Sequence, residues 1–275
     1  SEKDADRILG GGNSFLCGRH FRGGTNITFN RMRFRGKDWA TFQAGPGSHL
    51  EKIFTVEFRD EHIPMTINIG TPPAVALVAG GGMIHSIVPA GSDEAAIAGG
   101  IQGFPLEICK AKTVDAYSIA QSEWVLEGYI DSSERVWETE EAEKIGRPGE
   151  APFFPEWTGY MGTAYRAFKF QVTAITHRKD RPIFYTPLAH SFEGLRLSQY
   201  MREACFYEIA DQVAPGLVVD VHIPPSLKSF SSVVYQVKKR RVRDEGMQAN
   251  VIAAALAYSP GMRMVIVVDA DVDIY

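Results

Sequence analysis

Cysteine is the scarcest reactive residue in this chain, with three copies among 275 residues, at positions 17, 109 and 205. Their spacing fits neither a thiolate metal site nor a disulfide framework, and it points to a reducing compartment. Long apolar runs are missing as well. No stretch approaches the roughly 20 residues needed to cross a bilayer, and the opening SEKDADRIL is charged where a signal peptide would be apolar. The expectation is a cytoplasmic protein with no membrane contact. An excess of one charge sign is also lacking: 29 Lys and Arg stand against 33 Asp and Glu, a formal net charge of −4. That balance argues against non-specific nucleic-acid binding. The chain has no P-loop, no GxGxxG after a strand and no GxSxG elbow, and Gly80-Gly81-Gly82 lacks the spacing of a phosphate loop. Repeats and low-complexity segments are absent.

What is present is the composition of a globular protein, 45% hydrophobic and 23% charged, long enough for one large domain or two ordinary ones. Residues 13–60 read as strands broken by glycine (NSFLCGRHF, TNITFNRMRF, DWATFQAG), and PMTINIG (64–70) as a further strand. PPAVALVAGGG (72–82) reads as a helix entered on Pro and stopped by Gly, and DEAAIAGGIQG (93–103) as a helix opened by two acids. LEICKAKTVDAYS, EWVLEGYID and residues 164–178 continue the sheet, while the charged stretch 132–150 reads as a surface excursion. From residue 192 the pattern changes to a long amphipathic helix, two strands, a helix over MQANVIAAALAYS and a last strand, MRMVIVVDADVDI. The expected organisation is α+β: a β-rich part with inserted helices over 1–191, then a smaller α/β part over 192–275. The chain starts with little lead-in and stops at Tyr275 just after a strand-like run, as a fragment or one subunit of a larger assembly would.

Several stretches carry candidate chemistry. EAPFFPEWTGYM (150–161) sets Glu156 among Phe153, Phe154, Pro155 and Trp157. A carboxyl beside that much apolar surface can be a general acid with a raised pKa, or it can point into water while the aromatics pack. TNITFNRM (25–32) puts Asn26, Thr28 and Asn30 on one strand face and Ile27, Phe29 and Arg31 on the other, as a ligand-facing strand or as an exposed edge. GPGSHLEKI (45–53) offers His49, and the start of the 93–103 helix offers Glu94, whose simpler role is helix capping. Asn26, His49 and Glu94 would suit Mn²⁺ or Mg²⁺ if the fold brought them together. The basic run VKKRR with Arg243 reads first as a solvated face. DADVD (269–273) places three aspartates on one face of the last strand, where solvent exposure is the simpler reading.

Taken in order, NITFNRM, GSHL, DEAAIAGGIQG, EWVLEGYI, FPEWTGYMG, ITHRKD, VKKR and IVVDADVDI resemble the UbiD family of reversible decarboxylases, across nearly the whole chain. The likeness is greatest to the branch acting on hydroxylated benzoates such as protocatechuate and gallate. The resemblance implies a split β-barrel flavin-binding domain followed by the α/β domain. It implies prenylated FMN as cofactor, with its phosphate held through Mn²⁺ (or Mg²⁺) by Asn26, His49 and Glu94, and K⁺ nearby. Ile27, Thr28, Phe29, Asn30, Arg31, Ser48 and the residues around His85–Pro89 would line the flavin. Arg31 would orient and Glu156 donate the proton. The implied activity is non-oxidative decarboxylation, or carboxylation in reverse, of an aromatic, hydroxylated acid. A flavin prenyltransferase would supply the cofactor, and the chain would act as a homo-oligomer or with a partner subunit. Two rival readings are a structural subunit of a multi-subunit aromatic carboxylase and an ordinary FMN oxidoreductase, the latter leaving the metal set without a purpose.

The sequence departs from the family pattern in two ways. Ala151 stands five residues before Glu156, where many members carry a second Glu, and the nearest acid, Glu150, lies six before. That speaks against a three-membered network of one Arg and two Glu. The phenol-binding His and Lys of the hydroxybenzoate branch have His190, His222 and Lys228 as candidates, and Glu150 is a further candidate for substrate contact. The N- and C-terminal regions usual in the family are expected to be absent.

Overall fold

The computed structural model describes residues 8–17, 25–46, 48–59, 61–80, 93–156, 160–185, 192–227, 231–259 and 261–275. These fall into two compact units, one of residues up to 80 together with those of 93–185, the other of residues 192–275.

The first unit is a closed barrel of six strands: β1 (Ile8–Cys17), β2 (Thr25–Phe34), β3 (Trp39–Phe42), β4 (His62–Ile69), β7 (Trp124–Trp137) and β10 (Arg166–His177). Their order around the barrel is β1-β2-β3-β10-β7-β4, and every neighbouring pair is antiparallel. Met32, Phe42, Met65, Ile67, Ile130 and Phe170 from five strands fill the middle. Bulges between Phe168 and Lys169 and between Val172 and Ala174 interrupt the β7–β10 ladder and help the sheet curl closed. A four-residue helix, α1 (His49–Lys52), runs directly into a π-turn over Ile53–Glu57. That turn is pinned by Phe54, whose ring stands edge-on to Phe168 at 4.9 Å and tilted to Phe42 at 6.0 Å. Helices α2 (Pro73–Gly80) and α3 (Glu94–Gln102) pack against each other and onto β2. Two small hairpins complete the unit, β5 (Ile108–Lys110) with β6 (Tyr117–Ile119) and β8 (Pro152–Pro155) with β9 (Met161–Thr163).

The stretch 132–150 is a surface excursion in its second part, where most of 140–150 is exposed, while its first part is built into the barrel. Strand β7 runs on to Trp137, and Glu138, Thr139 and Ala142 are buried. Thr139 then caps helix α4 (Glu140–Ile145), accepting the Ala142 N–H at 2.9 Å, and Gly146 closes it in the left-handed region at φ 69°. Glu140 and Glu143, exposed at 47% and 59%, also serve as counter-charges. Arg33 meets Glu140 at 3.5 Å, and Arg35 meets Glu140 at 3.0 Å and Glu143 at 2.8 Å.

In the second unit, α5 (Phe192–Val213) and α6 (Met247–Tyr258) pack on the sheet β11 (Val218–His222), β12 (Ser232–Val237) and β13 (Met264–Asp269). β11 pairs antiparallel and β13 parallel with β12. Phe206, Leu217, Val221, Val233, Tyr235 and Val251 form its core. β13 ends at Asp269, and the following residues turn, with Gln236 Nε2 donating to the carbonyls of Ala270 (3.3 Å) and Val272 (2.8 Å). The three aspartates of DADVD therefore do not share a strand face. No helix among the described residues is long and apolar enough to cross a membrane.

Removing the Phe54 ring should cost about 3–5 kcal/mol, the range for a buried aromatic truncated to alanine. Urea denaturation of Phe54→Ala measures this, and faster amide exchange in α1 should accompany it.

Candidate active site

Strand β2 carries the site. At its start Asn26 is buried, 5% exposed, and its Nδ2 donates to Glu94 Oε1 at 3.4 Å. Glu94 is the first residue of α3, held there because Asp93 caps the helix by accepting the N–H groups of Ala95 (2.8 Å) and Ala96 (3.3 Å). Burial pushes the Glu94 carboxyl up to about 7, with the Asp93 carboxylate adding to the rise against backbone N–H donation. Its Oε2 is buried without a hydrogen-bond partner among the described residues. A carboxylate in that position calls for a cation or a proton. His49 is the first residue of α1, and its side chain lies outside the described atoms. Among the described residues no three His, Cys, Asp or Glu side chains converge on one point. Ser48 spends its Oγ accepting the Glu51 N–H at 3.1 Å. Ile27 is buried, Thr28 and Phe29 are half-buried, and Asn30 donates to the Gln43 carbonyl at 2.9 Å.

Further along β2, Arg31 is the centre of a second group. Its Nε and Nη2 form a two-pronged pair with Glu138, at 2.9 and 2.8 Å. Its Nη1 donates to Glu156 Oε1 at 3.1 Å, and Nη2 also faces the Thr163 carbonyl at 3.4 Å. The guanidinium lies over the rings of Phe153 (4.9 Å) and Phe154 (5.4 Å), which stand edge to face with each other. Glu138 is 1% exposed at its side chain and also accepts the Tyr165 N–H at 2.8 Å. Burial raises its pKa against the pull of Arg31 and that N–H, and the nearby Glu156 carboxylate adds to the rise. Glu156 itself is 30% exposed, within reach of a ligand and of water. One cation thus serves two carboxyls, one sealed in and one at the surface of the group.

The fold brings Asn26 to Glu94 and Arg31 to Glu156. Glu150 pairs instead with Arg147 at 3.1 Å on the surface. The second carboxylate on Arg31 is Glu138, from the end of β7, so the group is three-membered after all. Reading the sequence missed Glu138 because it was counted with the charged run. The available signal was the matching of Arg31, Arg33 and Arg35, alternate positions on one strand face, with the acids of 138–143. His222 lies in the second unit, buried, with Nδ1 3.1 Å from Glu203 Oε1 and its ring 4.8 Å from that of Tyr275. His190, Lys228 and the His85–Pro89 stretch lie outside the described residues.

Two family models match the chain. One, described as the 3-octaprenyl-4-hydroxybenzoate carboxy-lyase Rift-related domain, covers residues 2–190, and the C-terminal domain of the same carboxy-lyase covers 196–275. A gallate decarboxylase from Lactiplantibacillus plantarum is 32% identical over 254 residues, which is 91% of this chain and 50% of that protein. An anhydromevalonate phosphate decarboxylase from Methanosarcina mazei is 27% identical over 256 residues, 93% of this chain and 54% of that protein. Among solved structures, the UbiD-class enzyme HmfF from Pelotomaculum thermopropionicum, in complex with prFMN, matches with a TM-score of 0.82 at 28% identity, over 98% of this chain and 57% of that one. The apo 3,4-dihydroxybenzoic acid decarboxylase AroY of Klebsiella pneumoniae matches with a TM-score of 0.79 at 26% identity, over 97% and 53%. The chain spans about half the length of the curated relatives it matches.

The Glu94 shift has a direction that can be measured. A carboxyl raised from 4.5 to about 7 on folding contributes stability that is complete below pH 4.5 and lost as pH rises through 7. In metal-free protein, Glu94→Gln should therefore gain thermal stability relative to the parent over that window. Parallel curves for the two proteins would show that Glu94 is not desolvated.

Proposed function

This chain belongs to the UbiD family of carboxy-lyases, and on that premise we propose that it works in the reversible, non-oxidative decarboxylation of an aromatic, hydroxylated acid with prenylated FMN. The observation that carries this is Arg31 holding Glu156 at 3.1 Å beside two aromatic rings, backed on its other side by the sealed Glu138. An intact pair of this kind favours a catalytic role over that of a structural subunit.

The residues present fit the proposed cofactor. Glu94 Oε2, buried and without a described partner beside Asn26, is where a divalent cation would be expected. Asn26, Glu94 and His49 would hold Mn²⁺ or Mg²⁺ and through it a phosphate, and Ile27 to Arg31 and Ser48 would line the ring system. When bound, prenylated FMN supplies the electron sink that lets an aromatic carbon part from CO₂. The six-stranded barrel is read as the split barrel of flavin-binding proteins. K⁺ near the phosphate and cofactor supply by a flavin prenyltransferase belong to the same reading.

The chain's own residues then have defined tasks. Arg31 orients Glu156 and can meet a substrate carboxylate. Phe153 and Phe154 shield the guanidinium from water and so strengthen its hold. The net reaction exchanges the ring's C–CO₂⁻ bond for a C–H bond, with the proton coming from the Glu156 carboxyl to the carbon that has lost CO₂. Partial exposure lets Glu156 regain a proton from solvent, and in the reverse direction it accepts the ring proton.

Replacing the proton donor tests the proposal. Glu156→Gln should lower kcat by at least about 10²-fold, the lower end for loss of a general acid, and abolish deuterium exchange into product. The flavin absorbance should be retained. Wild-type turnover by this variant on a panel of hydroxybenzoates would remove Glu156 from its role.

A further inference from the structure

We infer that Gly162 is a positioning residue for the proton donor: its missing side chain is the space in which the Glu156 carboxylate lies. The inference rests on the reading of Glu156 as proton donor. A Cβ built on Gly162 would stand 2.6 Å from Glu156 Cγ, 2.7 Å from Oε1 and 3.1 Å from Cδ. Real Cβ contacts are essentially never that close. Oε1 is the same oxygen that accepts the Arg31 Nη1–H, so any side chain at 162 competes for the position that defines the pair.

The hairpin explains why the two residues meet. β8 and β9 pair Pro152 with Thr163 and Pro155 with Met161, and the Glu156 N–H donates to the Tyr160 carbonyl at 2.8 Å. Glu156 thus leaves the ladder at its turn end, and its side chain folds back across the facing strand to reach Arg31. The strand it crosses is fixed from below, since Arg31 Nη2 faces the Thr163 carbonyl and Glu138 takes the Tyr165 N–H. With the backbone held just after the crossing, a new Cβ and the Glu156 side chain compete for one space, and the long, flexible side chain is the part that moves.

Glycine can be required for its backbone freedom or for its lack of volume. Among the described residues the positive-φ glycines are at 70, 103, 146, 149, 216 and 246, and Gly162 is not one of them. Alanine therefore meets no left-handed strain there, and the requirement is steric. This makes a substitution at 162 a specific perturbation of Glu156.

The test uses the full-length, cofactor-loaded protein and the substitutions Gly162→Ala, Glu156→Ala and both together. With Glu156 present, Gly162→Ala should lower kcat at least tenfold, leave KM and flavin content within twofold, and raise the solvent deuterium isotope effect on turnover as proton delivery becomes slower. A crystal structure of this variant should place the Glu156 carboxylate beyond hydrogen-bonding distance of Arg31. In the Glu156→Ala background, Gly162→Ala should leave the thermal midpoint unchanged, because the atom it collides with is gone. Unchanged kcat and isotope effect in Gly162→Ala, an undisturbed Arg31–Glu156 bond, or an equal loss of thermal stability in both backgrounds would each overturn the inference. An active Glu156→Gln enzyme would instead sink the proton-donor reading, while the variant's crystal structure would still decide whether Gly162 positions the carboxylate.

Discussion

A guanidinium withdrawn from water and faced by two carboxyls sets the terms for the rest of the first unit. Arg31 is 19% exposed and spends three of its N–H groups on Glu138 and Glu156. Its positive charge balances one carboxylate, so with both ionised the trio carries a net negative charge in a poorly solvated place. Burial raises the Glu138 pKa, and the neighbouring Glu156 carboxylate adds to the rise. Glu138 is sealed and further fixed by the Tyr165 N–H, whereas Glu156 opens to solvent.

The same strand face extends this logic into structure. Arg33 and Arg35 continue the alternation from Arg31 and meet Glu140 and Glu143, so β2 is tied along its outer side to the 138–145 segment. Isolated surface pairs of this sort contribute little individually. Here the arginines are nearly buried, at 4% and 8% for the side chains of Arg33 and Arg35, and the row acts as a register for where α4 and Glu138 sit. Asn26 and Arg31 are separated by five steps of one strand, about 16 Å at the usual rise per residue. The buried Glu94 carboxylate and the Arg31 group thus mark two ends of one rigid rail, with Ile27 to Asn30 between them.

How much of this was legible beforehand differs by element. Strands β2, β4 and β10 and helices α3, α5 and α6 were read near their observed bounds because their apolar spacing and end signals agree. The family was legible from short motifs in a fixed order. The 132–150 stretch was legible only in its exposed second part, because charge density does not show that Glu138 and Thr139 are buried or that Glu140 and Glu143 face arginines about a hundred residues away in the chain. Glu138 was hidden for that reason, and Glu150, adjacent in sequence to the expected position, drew attention instead. The aspartates of 269–273 were misplaced because strand propensity runs on through Val272 while the Gln236 side chain stops the strand from outside. Gly162 could not be read at all: glycine in a short turn-rich segment looks like backbone permissiveness, and only the position of the Glu156 atoms reveals a steric role.

On the proposed reading of Glu156 as proton donor, the division between barrel and hairpin has its own physical reason. A proton donor must keep its distance to the reacting carbon and still exchange with solvent between turnovers, and these demands conflict on one rigid element. The barrel meets the first demand, since Arg31 stands on β2 and Glu138, just past the end of β7, is buried with its N–H bonded to the Tyr165 carbonyl. The two-strand hairpin meets the second, because Glu156 leaves β8 at its turn end, beside Tyr160 at 80% and Met161 at 59% exposure. Arg31 joins the two, through its bond to Glu156 across a glycine, its contact with the Thr163 carbonyl and its stacking on Phe153 and Phe154. Moving the donor onto the barrel would fix its geometry and close off its water, and removing the glycine would keep the water and lose the geometry. The hairpin arrangement keeps both.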